Sequence, residues 1–334
     1  MLSRVADSIY WLNRYIERAE NVARFIDVNL HLMLDLPVGT TEQWAPLVDT
    51  TGDEELFQEC YGEATRENVV AFLTFDLANP NSIYACLRAA RDNARSVREI
   101  ISSEMWEQVN TFYLMVRDAA AQGRVMAEPH AFFTEVKMAS HLFVGITDVT
   151  LSHNEGWHFG RLGCLLERAD KTSRILDVKY YLLLPHVHDV GTAVDDIQWS
   201  AVLRSASAFE MYRKRFGRLR PDRVADFLML DREFPRAMHY CLMQAEESLH
   251  AISGSPLGTF QNLAEQHLGR LRSELDYAQI DEIIASGLHE FLDAFQGKLN
   301  HVGSAIFETF VALRPVTEVV TQSQSQSSQL MRTR

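Results

Sequence analysis

Glu17-Arg18-Ala19-Glu20, followed by Arg24 and Asp27-Val28, returns 150 residues later as Glu167-Arg168-Ala169-Asp170, followed by Arg174 and Asp177-Val178. Both copies run on into an apolar stretch that stops at a proline, Pro37 and Pro185. A fixed-offset repeat of this kind governs the reading of the whole chain. A second register, offset by 155, extends it. Gln43-Trp44 matches Gln198-Trp199, Tyr61-Gly62 matches Phe216-Gly217, and Phe72-Leu73 matches Phe227-Leu228. Asp76, Pro80 and Cys86-Leu87 match Asp231, Pro235 and Cys241-Leu242. His130 and His289 form a weaker further pair. The expectation is two tandem, pseudo-symmetric helical-bundle repeats, 1–152 and 153–315, with their long first helices packed together. A disordered Gln/Ser-rich tail, 316–334, follows.

The pattern between these anchors is helical. Leu12, Ile16, Ala19, Ala23, Ile26 and Leu30 form one stripe at about 100° per residue, which predicts a single helix over 3–34. Asn13, Glu17, Glu20, Asn21, Arg24, Asp27 and His31 fall on the opposite arc. Arg18 and its counterpart Arg168 stand at the edge of the apolar face, with Arg161 one heptad before Arg168. Further helices are expected over 41–61 (one or two), 66–76, 82–104, 105–122, 130–152 and 155–184. The second copy continues with one from 195, then 222–230, 236–253, 257–275 and 279–312. Period-2 alternation is nearly absent, so the fold class is all-α.

Composition narrows the function. With 334 residues and 47% hydrophobic content the chain can bury a large core. A net charge of −13 argues against a nucleic-acid partner. No apolar run reaches the ~20 residues of a membrane span, and Arg4 and Asp7 interrupt any leader-like start. Cys60, Cys86, Cys164 and Cys241 lack CxxC spacing. They are expected to be reduced thiols in a cytoplasmic protein.

The repeated Glu-Arg motif carries the chemistry. Two readings are open. One is an ion-pair lattice that sets helix register. The other is an anion site built from bidentate arginines. The ligand-binding candidates are Arg18, Glu20, Arg24, Asp27, Arg161, Arg168, Asp170, Arg174 and Asp177. Glu17 and Glu167 are the candidate catalytic groups. Glu155…His158 and Glu247…His250 have di-iron spacing but are not equivalent under the repeat, and His186-Val187-His188-Asp189 is a solvated linker. No metal and no cofactor are assigned. Arg88, Arg91, Arg95 and Arg98 line one side of their helix as a solvated face. P-loop, GxGxxG, GxSxG and HExxH signatures are absent from the sequence.

The opening Met1-Leu2-Ser3-Arg4-Val5-Ala6-Asp7-Ser8-Ile9-Tyr10-Trp11-Leu12, with Arg14-Tyr15 and Glu17-Arg18-Ala19-Glu20-Asn21, resembles the start of the bacterial alpha-E domain family. Glu155-Gly156-Trp157-His158-Phe159, Arg161-Leu162-Gly163 and Glu167-Arg168-Ala169-Asp170 resemble its second signature. Cys164 departs from it, standing where a basic or polar residue is expected. The resemblance implies an all-helical protein encoded beside a circularly permuted ATP-grasp ligase and often a transglutaminase-like protein. The function it implies is a helical accessory or binding protein in ATP-dependent synthesis or modification of a peptide or small amide. The alternative is an enzyme using the paired Glu-Arg motifs on an acylated or phosphorylated peptide intermediate.

Overall fold

The computed structural model describes residues 1–35, 44–182 and 193–312, and these are helical throughout, with no strand among them. The expectations at Pro37, Pro185, the His186–Asp189 cluster and the Gln/Ser tail lie outside the described residues. The first half runs α1 (Ser3–Asp35), α2 (Ala45–Thr51), α3 (Glu54–Cys60), α4 (Arg66–Thr74), α5 (Ile83–Ser96), α6 (Ser103–Gln122), α7 (Arg124–Ala127) and α8 (Pro129–Thr150). The second runs α9 (Glu155–Leu182), α10 (Ala193–Ser205), α11 (Phe209–Phe216), α12 (Pro221–Leu230), α13 (Met238–Ser253), α14 (Leu263–Asp276), α15 (Ile280–Ser286) and α16 (Leu288–Ile306).

Helices α1 and α9 lie side by side at the centre and run in the same direction. Gly156 sits against Ile9, Gly163 against Tyr10, and Glu167 meets both Arg14 and Arg18. α5 and α8 flank α1, with α6 closing between them; α13 and α16 flank α9, with α14 between. The short helices cross over: α10 packs on α1 and α2 on α9. Two apolar clusters result. In one, Leu12, Ile16, Ala23 and Ile26 of α1 meet Phe72, Phe112 and Phe132. In the other, Leu166 and Leu176 of α9 meet Tyr212, Leu242 and Phe295. Trp44 and Trp199, aligned in the sequence, are both buried.

Three helix boundaries differ from the pattern reading. The segment 82–104 is broken, because α5 stops at Ser96 and Ser102 caps a new helix by accepting from the Met105 amide at 3.1 Å. The segment 257–275 starts only at Leu263, where Asn262 accepts from the Glu265 amide at 3.0 Å. The segment 279–312 is interrupted at Gly287, whose φ of 109° no L side chain adopts easily, and it ends in a wider helical turn at Phe307–Val311. Arg88, Arg95 and, just past α5, Arg98 are exposed as a solvated face requires, and Arg91 is half-buried. Arg91 donates to Asn110 at 2.7 Å and lies over Tyr113, while Arg98 lies over Trp106.

Cys86 and Cys241 occupy matching buried sites, their thiols directed at the carbonyls of Pro80 (3.6 Å) and Pro235 (3.5 Å). Burial pushes both up to about 12 and raises Cys164 as well. Cys60 is exposed. A thiol-reagent titration of the native chain is therefore expected to show one fast thiol, lost in Cys60→Ser, and all four only after denaturation. Rapid reaction of the Cys60→Ser protein would contradict the packing.

Candidate functional site

The two Glu-Arg motifs meet reciprocally across the α1–α9 seam. Arg168 grips Glu17 through two bonds, Nε to Oε1 at 3.0 Å and Nη2 to Oε2 at 2.8 Å. Arg18 grips Glu167 in the same way, at 2.7 and 2.9 Å. A planar guanidinium matches a carboxylate edge to edge, so each pair fixes orientation as well as charge. A second set of matching positions completes the shell. Arg14 donates to Glu167 at 2.9 Å, and Cys164, 150 residues on, donates to Glu17 at 3.2 Å. Asn21 reaches Glu17 at 3.0 Å, and Lys171 lies 3.7 Å from Glu167, each four residues along the glutamate's own helix.

The Cys164 departure has a compensation. Arg236, just before α13, enters the seam and donates to Glu17 at 2.9 Å. Its counterpart at the 155 offset is Asn81, which accepts from Arg18 at 2.6 Å and is itself held by Asp53. Each buried glutamate therefore faces two arginines, drawn from different places. Arg236 also donates to Glu20 at 2.6 Å, where it shares the carboxylate with Arg24, Ser140 and His141. On α9, Asp170 binds Arg174 at 3.0 Å and Lys171 at 3.1 Å.

The polar arc of α1 is thus interior from Asn13 to Asp27, and only His31 at its end is exposed. Glu17 and Glu20 are 1% exposed, and Asn21, Arg24 and Asp27 are also buried. Of the candidate residues, Glu17, Arg18, Glu20, Arg24, Arg168, Asp170 and Arg174 join this centre, together with Glu167. Arg24 and Arg174 pair within their own helices and not across the seam. Asp27 and Asp177 stand farther along, in matching contacts with His130 (2.8 Å) and His289 (2.7 Å). Arg161 is elsewhere, bonded to Gln244 and Ser248 and stacked on Trp157. Arg14, Cys164, Lys171, Asn81 and Arg236 are participants that motif reading missed. Arg14 was within reach, since it lies one turn before Arg18, and Asn81 and Arg236 both follow the aligned prolines Pro80 and Pro235. Neither Glu-x-x-His pair gathers a third metal-ligating side chain among the described residues. His250 bonds Ser255 instead, and Glu155 takes the Met1 amino group.

Electrostatics fix the charge state of this centre. Burial alone would raise the Glu17 carboxyl, but Arg168 and Arg236 reverse that and hold it at about 2. Burial is likewise overcome at Glu167 by Arg18, Arg14 and Lys171, at Glu20 mainly by Arg236, and at Asp170 by Lys171 and Arg174, all lowered. A carboxyl whose folded pKa is depressed adds stability above its unfolded pKa and loses it as pH falls through the folded value. The urea midpoint is therefore expected to be insensitive to these groups at neutral pH and to fall steadily from about pH 4.5 toward pH 2. A midpoint unchanged between pH 5 and about 3 would contradict the pairing.

Among the described residues, Arg14, Arg18, Arg24, Arg168, Lys171, Arg174 and Arg236 surround Glu17, Glu20, Glu167 and Asp170, with Asp53 joined to the same network through Asn81. Next to it lies a cavity of about 510 Å³ lined by Tyr10, Trp11, Phe159, Leu299 and Phe307, with Arg14, Asp7, Asp170, Asn300, Ser304 and Glu308 among its polar groups. Its size is that of a small-molecule or short peptide site. Arg14 spans both features: it bonds Glu167, donates to the Tyr10 hydroxyl at 3.1 Å and lies 4.9 Å over the Trp11 ring.

Comparison with known proteins agrees with this geometry. Residues 1–311 match Alpha-E, described as a predicted alpha-helical domain with a conserved ER motif. Uncharacterised proteins of Mycobacterium bovis and of Mycobacterium tuberculosis strains CDC 1551 and H37Rv are each 23% identical to the chain, over 93% of its length. The match covers 37% of each of those proteins, so the chain spans little more than a third of their length. No solved structure matches the chain significantly. None of the described helices is long and apolar enough to cross a membrane. The reciprocal Glu17–Arg168 and Glu167–Arg18 pairs are the Glu-Arg motifs for which the family is described, and the chain belongs to the Alpha-E family.

Proposed function

We propose that the chain is a helical binding module that works with an ATP-grasp amide or peptide ligase, built as a tandem duplication whose halves, 1–152 and 153–315, are locked by the reciprocal Glu-Arg clamp. The matched contacts at Glu17 and Glu167, at Cys86 and Cys241, and at Asp27 and Asp177 support the duplication. The observation that carries the binding role is the 510 Å³ cavity against the buried Glu-Arg centre, walled by Tyr10, Trp11, Phe159 and Phe307 and carrying Arg14 among Asp7, Asp170 and Glu308. The aromatic wall suits the side chain of a peptide or acyl group, and the three carboxylates around Arg14, which is itself paired with Glu167, suit an amino group of the same ligand. In the mycobacterial relatives the matched unit is one part of a larger protein, an arrangement that an accessory module can adopt. Glu17 and Glu167 are saturated with donors and held ionised, so proton transfer is not the role we assign them.

The test is co-expression with a circularly permuted ATP-grasp ligase of the same genome, and with the transglutaminase-like protein as a second partner. Co-elution in gel filtration, with ligase turnover increased by the chain, is the expected result. Separate peaks, with the ligase equally active alone, would remove the proposal.

A further inference from the structure

We propose that Asp27, His31 and His130 form a binding site for a divalent cation of the Zn²⁺ class, tying the C-terminal end of α1 to the start of α8. Among the described residues, one ligating atom from each of the three lies within 4.8 Å of the other two. Asp27 and His31 are one turn apart on α1, so both project from one side. His130, 103 residues later, is brought to them by the packing of α8 on α1. Its Nδ1 is 2.8 Å from Asp27 Oδ1, and its ring lies 3.9 Å from that of His31.

The donor set is appropriate to such an ion. Two imidazoles and one carboxylate are the three-protein-ligand pattern of open zinc sites, with a fourth position left for water or an incoming group. Zinc bonds of about 2.0–2.1 Å place ligand atoms roughly 3.3 Å apart, so shifts of about 1 Å in exposed rings complete the shell. Asp27 is nearly buried, whereas His31 is exposed, which leaves a path for the ion. Lys137 donates to Asp27 Oδ2 at 2.5 Å and so orients the carboxylate with Oδ1 toward the two rings.

The second half of the chain supplies an internal comparison. Asp177 and His289 repeat the Asp27–His130 contact at 2.7 Å. At the positions matching His31 and Lys137 the sequence has Tyr181 and Gln296. The second imidazole and the orienting lysine thus have no counterpart at the matching positions of the second half.

The experiment uses the full chain stripped with chelator, Zn²⁺ in titration calorimetry and Co²⁺ as the spectroscopic probe. The expected result is one ion per chain, with an intense visible Co²⁺ band from a low-coordinate site. His31→Ala changes an exposed side chain and should leave the helical spectrum unaltered while weakening Zn²⁺ binding at least about 100-fold. His130→Ala should do the same, and His289→Ala should leave binding unchanged. The proposal is overturned by an absence of Zn²⁺ binding up to millimolar concentration, by affinity unmoved in His31→Ala, or by equal loss in His289→Ala.

Discussion

Glu167→Gln is expected to lower unfolding stability by about 3–5 kcal/mol, the usual cost of removing one partner from a buried ion pair. Glutamine has nearly the shape of glutamate, so the loss is one of charge and not of volume. Glu167 is fully buried and is the carboxylate shared by Arg14 and Arg18, with Lys171 at 3.7 Å. Its neutralisation leaves these cations in a medium that no longer repays their desolvation. Glu17→Gln should cost a similar amount, because Arg168 and Arg236 lose the same kind of partner. A domain with an ordinary reserve of about 5–15 kcal/mol loses a large part of it in either variant. Urea, which does not screen charge, with helical circular dichroism as the readout, is the appropriate measurement. Glu274→Gln is the control, since its pair with Lys298 is exposed on both sides and should be worth under about 1 kcal/mol. As pH falls below about 4.5 the wild type approaches the variants, because its own carboxyls take up protons. If Glu167→Gln matched the control, the centre would not hold the seam.

The same residues show what the sequence could and could not convey. The pairing of the two Glu-Arg motifs was legible, because a repeated motif on two long helices has few ways to be buried except against itself. The all-α class followed from periodicity, and the two tryptophans at matching offsets proved to be core positions. Burial of the Glu-Arg pairs was one of the two readings the motif allowed, but how far it extends along the polar arc of α1, to Asn13 and Asp27, was not legible. Amphipathic reasoning assigns charged residues to solvent, and only the complementary charges of α9 and of Arg236 make their burial tolerable. Arg236 lies 219 residues from Glu17, and although it follows the aligned Pro235, its counterpart after Pro80 is an asparagine, so the repeat does not announce an arginine in the seam. The cavity is likewise tertiary, with walls from α1, α9, α16 and the turn after α16. The grouping of Asp27 and His31 with His130 escaped notice for the same reason, since local spacing relates only the first two.

Gly163→Ala is the second large effect, and it tests the seam by shape instead of charge. A Cβ at Gly163 would stand 2.4 Å from the backbone carbonyl oxygen of Tyr10. That oxygen belongs to a helix and cannot swing aside as a side chain would. The two helix axes must separate, and every bidentate contact across the seam depends on their spacing. Overpacking of a tight contact costs about 1–3 kcal/mol, and here the strain of lengthened Arg18–Glu167 and Arg168–Glu17 bonds adds to it, so a loss of about 3 kcal/mol is expected. Helix propensity pulls the other way, because alanine favours a helix over glycine by about 1 kcal/mol. Gly145→Ala isolates that opposing contribution. Gly145 is exposed on α8 with nothing near its Cβ position, and the change there should stabilise the protein slightly. Opposite signs for the two substitutions, read from urea midpoints at one pH, are the expected outcome. If Gly163→Ala also stabilised the chain, α1 and α9 could not pack as closely as the clamp requires, and the reciprocal pairing would have to be reconsidered with it.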